Sequence, residues 1–595
     1  MIIRNKKKNP MKLDIFKLSL CGLGLFSVTS CVDLDQDPDE RVTITNLTQV
    51  KQLLTTAYNS ANYGWICEIS SDNVIDLNAP FKATQSNGKE VDARFNMTAY
   101  DQGDDEAFRF EPVKSNIGND SPYDIWEGAY HAIAVANHAI ANLDKLKAAD
   151  SLAAVKSGQP YTMSKEMEGC YAEARLSRAY NHFVLVNIFS QPYKNDETSS
   201  KDEGVPYVTA PEDKVKVHYD RGTVTEDYRK IEADLLYGLA HVYDANYTKP
   251  KWHWTQQAAN AFAARFYLYK KDYDKVIKYA DAVLGAGTGS VKSLLIDRSP
   301  FDNCTSSKDY ANVWQSPDAN NNILLVATYS RQWRRSLGYR YACAGKAIRD
   351  VFYHLGPNWL YYAMPCASAS GETFWDGNSD HGFCSSRIAE TFQYSDKVSG
   401  IGYAHIIRRE FTCTELLLER AEAYLLKNDI ANGLADLIAY EGSRQSFSAS
   451  TLAKYQQGGA LTELTKEKIL SWYKDYSHSN TYDADYWAAT QQMGINIPAD
   501  VLPYWNCLND MRRYETAWTG LRFFDLKRWG LPITHVYDAD AKTITLKYGD
   551  PRLAIEVPQA AIAAGLTPSR PVISGQADKE TSLFTGGFFT KENAK

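Results

Sequence analysis

Between positions 512 and 530 the chain reads Arg-Arg-Tyr-Glu-Thr-Ala-Trp-Thr-Gly-Leu-Arg-Phe-Phe-Asp-Leu-Lys-Arg-Trp-Gly. Its charged and aromatic residues alternate with apolar ones at helical spacing. Arg522 and Asp525 are three apart and Asp525 and Trp529 four apart, so they share a helix face. Guanidinium planes stack on rings and fork onto carboxylates. Such a run is a half-buried packing motif, a marker of fold and not a ligand site.

Helical periodicity dominates elsewhere. Trp126, Tyr130, Ile133, Asn137 and Ile140 form one stripe. A second long helix is predicted over Glu166–Phe189, stopped by Pro192. Its Arg175 and Arg178 are packing and ion-pair residues. Residues 255–284 read as a helical hairpin turning at Asp272-Tyr273-Asp274, and 411–439 as another turning at Asn428-Asp429. Residues 124–147 with 166–189 make a third, widely split pair. The pairs are like tetratricopeptide units but too scattered for a regular solenoid. The fold class is therefore mainly α: a tetratricopeptide-like scaffold of helical pairs with long ring-rich loops and a few short strands. Strands are predicted over 321–329, 542–548 and 552–557. The loops are 59–123, 290–405 and 440–510, and loops this long are usually functional.

The N-terminus carries Lys6, Lys7, Lys8 and Lys12, then an apolar stretch from Leu18 to Val28. That pattern is a secretory signal and too short to span a bilayer, whether translation starts at Met1 or Met11. It ends Val28-Thr29-Ser30-Cys31, which resembles a bacterial lipobox with Cys31 as the lipidated residue. The acidic stretch from Val32 to Glu40 reads as a solvated tether. The expected organisation is a signal peptide at 1–30, a tether and start of fold at 31–50, and one helical domain over 51–595. That domain has an N-terminal part to about 240 and a C-terminal part from about 241.

A net charge of −7 argues against nucleic acid as a partner, because phosphate binding needs a basic face. Aromatic residues make up 12%, with 39 Tyr, a load suited to recognition surfaces. None of the ten cysteines forms a C-x-x-C pair, so no zinc or thioredoxin chemistry is expected. Cys366 and Cys384 can pair within one loop; unpaired core thiols are the other reading. No H-E-x-x-H, G-x-S-x-G, Walker A or G-x-G-x-x-G motif occurs. The turn Asp376–Gly382 has alternating oxygen ligands but lacks the glycine position and closing acid of a calcium loop, so no metal or cofactor is expected.

The 512–530 run closely resembles the C-terminal signature of the SusD/RagB family of outer-membrane nutrient-binding lipoproteins, with Met511 and Thr519 where the family has Glu. The Trp126–Asn137 stripe, the Ala174–Ala179 segment and Ala554–Gln559 are similar to further family elements. The resemblance implies a non-catalytic glycan-binding lipoprotein on the cell exterior. Its implied partner is a SusC-type TonB-dependent outer-membrane transporter. Two other readings stay open: a peptide- or protein-binding scaffold of the same fold, and a glycoside hydrolase, whose two acids can be far apart in sequence.

Sugar binding needs flat rings for C–H faces and fixed polar groups for hydroxyls. In the first loop the candidates are Asp72, Asn73, Phe95, Asn96 and Tyr100, with Trp65 nearby. Ser71-Asp72-Asn73 resembles an Asp-containing loop of the family. In the second loop they are Tyr329, Trp333, Tyr339, Trp359 and Trp375. Trp333 and Tyr339 follow the 321–329 strand, where family members place a stacking ring.

Overall fold

The computed structural model describes residues 44–84, 90–212, 218–297, 299–336, 338–344, 347, 373–374, 384–444, 464–477 and 481–570, which lie within one compact unit, Ile44–Lys595. The signal segment, Cys31 and the acidic stretch from Val32 to Glu40 fall outside them, as do Trp359, Trp375, Cys366 and the 376–382 turn.

Helix pairs build the body. α1 (Pro122–Lys156) packs on α2 (Lys165–Phe189), and α2 on α3 (Val224–His241). α4 (Gln256–Lys270) and α5 (Tyr273–Leu284) form a hairpin, as do α6 (Cys413–Leu426) and α7 (Ile430–Arg444), and α6 packs on α5. Local chemistry fixes the boundaries. Ser164, Thr255 and Thr412 each accept a backbone N–H from the first turn they open. Lys271 takes a left-handed conformation (φ 64°) to end α4, and the Asp272 side chain caps α5. All three predicted pairs are present.

Apolar rings fill the seams. Tyr180, Phe183, Trp254, Phe262 and Phe411 pack edge-on or tilted at centroid distances of 5.2–6.5 Å. Arg265 is sealed beside them, donating to Glu415 Oε2 at 2.6 Å and to the Glu410 carbonyl at 2.8 Å. Burial opposes ionisation of Glu410, but Arg408 and Arg265 together hold its carboxyl down to about 2. Arg178 forks onto Asp234 with both bonds at 2.8 Å, joining α2 to α3, and Arg175 lies 4.0 Å over the Tyr237 ring. Both arginines serve packing, as their positions predict.

The 512–530 run differs from one continuous helix. It divides into the end of α8 (Leu502–Thr516) and all of α9 (Leu521–Trp529). Trp518 (φ 62°) and Gly520 (φ 84°) make the corner. A Cβ on Gly520 would lie 2.9 Å from both Cys67 Cβ and the Gly64 carbonyl, so only glycine fits there. The corner turns the two helices face to face. Arg512 then grips Asp525 with two bonds of 3.0 Å, and Arg528 donates to Asp525 at 2.8 and 2.7 Å. Glu422 on α6 accepts from Arg528, and from Trp529 Nε1 at 2.9 Å. Lys527 is fully buried, donating to the carbonyls of Asn187 (2.5 Å) and Ser190 (3.0 Å) at the end of α2. The motif is the clamp between the last helices and the rest of the scaffold.

A three-stranded antiparallel sheet is built from the second loop and the segment that follows it, in the order β1 (Asn322–Tyr329), β3 (Ile401–Thr412), β2 (Thr391–Asp396). The sequence predicts β1 but reads 391–405 as loop. β4 (Ile533–Tyr537) pairs with β5 (Lys542–Leu546); only the second of these is predicted. The strand predicted at 552–557 is absent. Pro551–Leu553 is a 3₁₀ turn, and Ile555 N–H goes to the Ile188 carbonyl at the end of α2 instead of to a ladder. Seven described cysteines are free thiols, Cys384 among them.

Asp227 on α3 gives a testable pH dependence. Burial raises its pKa to about 8 against the Val205 N–H and the charges of Lys230 and Arg221. The folded chain therefore keeps a proton that the unfolded chain releases above about pH 4, and stability falls as pH rises through that window. Asp227→Asn keeps an acceptor for Val205 N–H, 2.7 Å away, and removes the titration. Urea unfolding at pH 5 and pH 8 should show a smaller loss for the variant than for the parent. An equal loss would mean that Asp227 is ionised in the fold.

Candidate functional site

The exposed rings gather on the sheet. Tyr329, at the end of β1, stands opposite His405 on β3, and Tyr403 stands opposite Gln393 on β2. Side chains alternate faces along a strand, so Tyr329, His405, Tyr403 and Gln393 share one face. The Tyr329 and Tyr403 rings meet edge-to-face at 5.5 Å, and His405 Nε2 lies 2.9 Å from Thr391 Oγ1. Phe392 and Tyr394 occupy the other face, 4.9 Å apart. A Cβ on Gly402 would sit 2.7 Å from the Phe392 ring and 2.2 Å from the Gln393 carbonyl, so the absent side chain lets Phe392 lie close against the ribbon. Tyr329, Phe392, Tyr394 and Tyr403 are 43–57% exposed. That is unusual for four clustered rings, and it marks an interaction surface.

Buried polar groups hold this ribbon in place. Tyr329 N–H donates to the Ser60 carbonyl at 2.7 Å. Beyond it, the buried Asp120 carboxylate accepts from Ser330 Oγ (2.7 Å), Arg331 N–H (2.7 Å) and Asn62 Nδ2 (2.8 Å). Asn62 also binds Gln332 Oε1 at 3.0 Å and accepts from Arg408 at 2.6 Å. Gln332 Nε2 reaches the Trp518 carbonyl at 2.7 Å, tying the turn to the C-terminal clamp. Burial pushes the Asp120 carboxyl up, opposed by Arg335 and by these hydrogen bonds.

The predicted residues separate into distinct roles. Tyr329 is on the exposed ring surface. Trp333 is on the short helix Gln332–Arg335, half-buried and packed against the core. Tyr339 is half-buried beside Arg340. Tyr100 is exposed, with the Arg340 guanidinium 5.9 Å from its ring centre. Asp76 and Asp538 hold that guanidinium at 2.5–2.8 Å. Asn96 is exposed nearby, while Phe95 stacks on Phe81 at 5.6 Å and is half-buried.

Asp72 and Asn73 are both engaged by arginines of the C-terminal helices. Arg522 forks onto Asp72 with two bonds of 2.8 Å, and Arg513 donates to Asn73 Oδ1 at 2.8 Å. Asn73 is fully buried, its Nδ2 bound to Glu68 at 2.9 Å. Burial raises the Asp72 carboxyl, but Arg513 and Arg522 override it and hold it well below the usual range. Both residues anchor the C-terminal clamp and are occupied within the protein. Trp65 is likewise buried, donating to Asp104 at 2.7 Å.

Sequence reasoning missed Phe392, Tyr394 and Tyr403. The signal was present in Thr391-Phe392-Gln393-Tyr394 followed by Lys397-Val398-Ser399-Gly400, an alternating run and a turn. Among the described residues no group of His, Cys, Asp and Glu is arranged to hold a metal ion. No described helix is long and apolar enough to cross a membrane.

Residues 33–268 match the family described as "Starch-binding associating with outer membrane". A comparison with curated proteins finds no match. Among solved structures, the fold is similar to a SusD superfamily protein from Bacteroides thetaiotaomicron VPI-5482, at 17% identity and TM-score 0.50, over 89% of this chain and 100% of that one. A SusD superfamily protein from Bacteroides vulgatus ATCC 8482 superposes at TM-score 0.52 with 13% identity, over 89% and 99%. A putative sugar binding protein from the same organism gives 0.51 and 14%, over 89% and 99%. At these identities the structures establish shared fold. Residues 33–268 thus match a SusD-like family model, and the paired-helix architecture is the fold shared with SusD superfamily structures.

Proposed function

We propose that the chain is a surface lipoprotein that binds a glycan on the ring ribbon and passes it to a SusC-type TonB-dependent transporter. The observation that carries the reading is the exposed Tyr329–Tyr403 pair, flanked by the hydroxyl, imidazole and amide of Thr391, His405 and Gln393. Rings offer stacking area and the flanking groups offer hydroxyl partners, the two requirements of saccharide recognition. The family's description as starch-binding and outer-membrane-associated supports the same direction. So does the sugar-binding description of a structural neighbour. Tyr100 and Asn96, which are exposed, and the half-buried Tyr339 are further candidates for contact. Trp359 and Trp375, outside the described residues, belong to the same proposal. Lipidation at Cys31 would hold the protein at the outer membrane, and we assign it no catalytic step.

The soluble chain lacking residues 1–31, screened on glycan arrays and then by calorimetry, tests this. Tyr403→Ala should weaken the selected glycan about fivefold to tenfold without changing the unfolding transition, since a ring stack is worth roughly 1 kcal/mol. The lipidated chain purified from membranes should bring a barrel with it. Absence of both glycan binding and a co-purifying barrel would refute the proposal. Peptide binding unaffected by Tyr403→Ala would favour the scaffold reading, and sugar release on long incubation the hydrolase reading.

A further inference from the structure

A cavity of about 680 Å³ opens at the start of β1, between the helix Ser307–Trp314, the 316–322 loop and Arg409 of β3. β1 is eight residues long, so this cavity is roughly 24 Å from the ring ribbon at the strand's other end. Its size is that of a small-molecule site. Its lining is mixed. Ile296 and Phe301 supply an apolar wall, and Asn312, Asn320 and Asn321 supply amides. An amide carries both N–H donors and a carbonyl acceptor, which suits neighbouring hydroxyls where those atoms are not already engaged. Among the described lining residues the charges are Lys292 and Arg409 against Asp297 and Asp318, so they cancel. A net-neutral lining favours an uncharged polyol over a phosphate or a polycation.

The walls are fixed before any ligand arrives. Trp314 has two guanidiniums over its ring, Arg387 at 4.7 Å and Arg409 at 4.6 Å. Asn322 Nδ2 donates to the Trp314 and Ser316 carbonyls at 2.9 Å, and Asn320 Nδ2 crosses to the Ser293 carbonyl at 3.1 Å. Asn321 is buried, and its Oδ1 accepts from the Thr414 N–H and hydroxyl at 3.0 and 3.1 Å. Those donors settle the amide's orientation and leave Asn321 Nδ2 buried in the wall with no hydrogen-bond partner. A buried unsatisfied donor is costly, and this one belongs to a residue that lines the cavity, so it is a second feature a hydroxyl-bearing ligand could engage there.

We infer that this cavity is a separate binding site for a short neutral saccharide, independent of the ring ribbon. The inference rests on the glycan-binding reading for its ligand class but not on the ribbon's residues. The test uses the mature soluble chain carrying Tyr403→Ala, with maltotriose, cellotriose and xylotriose as probes and glucose 6-phosphate as a charged comparator. Hydrogen exchange read by mass spectrometry locates binding. At least one neutral trisaccharide should slow exchange in residues 307–322, and Asn312→Trp, filling the mouth from an exposed helix position, should weaken it at least tenfold. Asp318→Ala on the exposed loop should act in the same direction and stands in if the Trp variant misfolds. Protection confined to 391–405, a preference for the phosphate, binding indifferent to both variants, or no protection at millimolar probe would overturn the inference. Glycan capture by the parent chain that is lost with Tyr403→Ala would still uphold the ribbon in every one of those cases.

Discussion

Glu422→Ala should cost about 3–5 kcal/mol of stability, the largest effect expected of any single substitution here. Glu422 is fully buried on α6 and takes the Arg528 guanidinium on both oxygens and the Trp529 indole N–H on one. Removing it strands a buried cation and an indole donor, while Asp525 alone must balance Arg512 and Arg528. The charged pair itself is a modest source of stability, because desolvation offsets most of its attraction. An unpaired charge in the same place is what destabilises. Glu422→Gln keeps an acceptor for Trp529 and should fall between parent and Ala. Urea midpoints measure the series. A midpoint for Glu422→Ala equal to that of the parent would show that the C-terminal clamp does not hold the scaffold together.

Asp120→Ala should do two things at once. It removes the acceptor of Ser330 Oγ, Arg331 N–H and Asn62 Nδ2, so about 3 kcal/mol of stability should be lost. It should also lower glycan affinity more than tenfold, although Asp120 lies beneath the turn and is almost fully buried. The turn at 330–332 sets where β1 ends and hence where Tyr329 stands against Tyr403. Ring stacking tolerates little displacement, so a loosened turn should reduce affinity through position alone. Calorimetry well below the variant's unfolding temperature separates the two effects. Unchanged affinity in a destabilised Asp120→Ala would mean the turn does not position the site.

The helices were legible in the sequence because each carries several agreeing signals. α4 and α5 have small apolar residues at a 3.6 period, a Thr255 cap and an Asp272 turn, all local in the chain. The corner at Trp518–Gly520 was less legible, since helical spacing continues through it and only the left-handed glycine breaks the run. The β2–β3 ribbon was missed for a physical reason. β2 is six residues long and exposed along nearly all its length, so its short alternation lacks the apolar neighbours that mark a buried strand in a long polar loop. Asp72 and Asn73 show a different limit. Their partners Arg522 and Arg513 are some 450 residues away, and a carboxylate and an amide in a loop look the same whether they meet a sugar or a distant guanidinium. Ring counts also conceal burial. Trp65, Trp314, Trp505 and Trp518 are all sealed, while the tyrosines and phenylalanine of the ribbon stay open.

A crystal structure of the soluble chain with the oligosaccharide that binds it best tests the central claim most directly. The account predicts a sugar ring lying against Tyr403 and Tyr329, with its hydroxyls met by Gln393, His405 or Thr391. A bound oligosaccharide that touches neither tyrosine, in a chain whose β2–β3 ribbon keeps its present form, would contradict it.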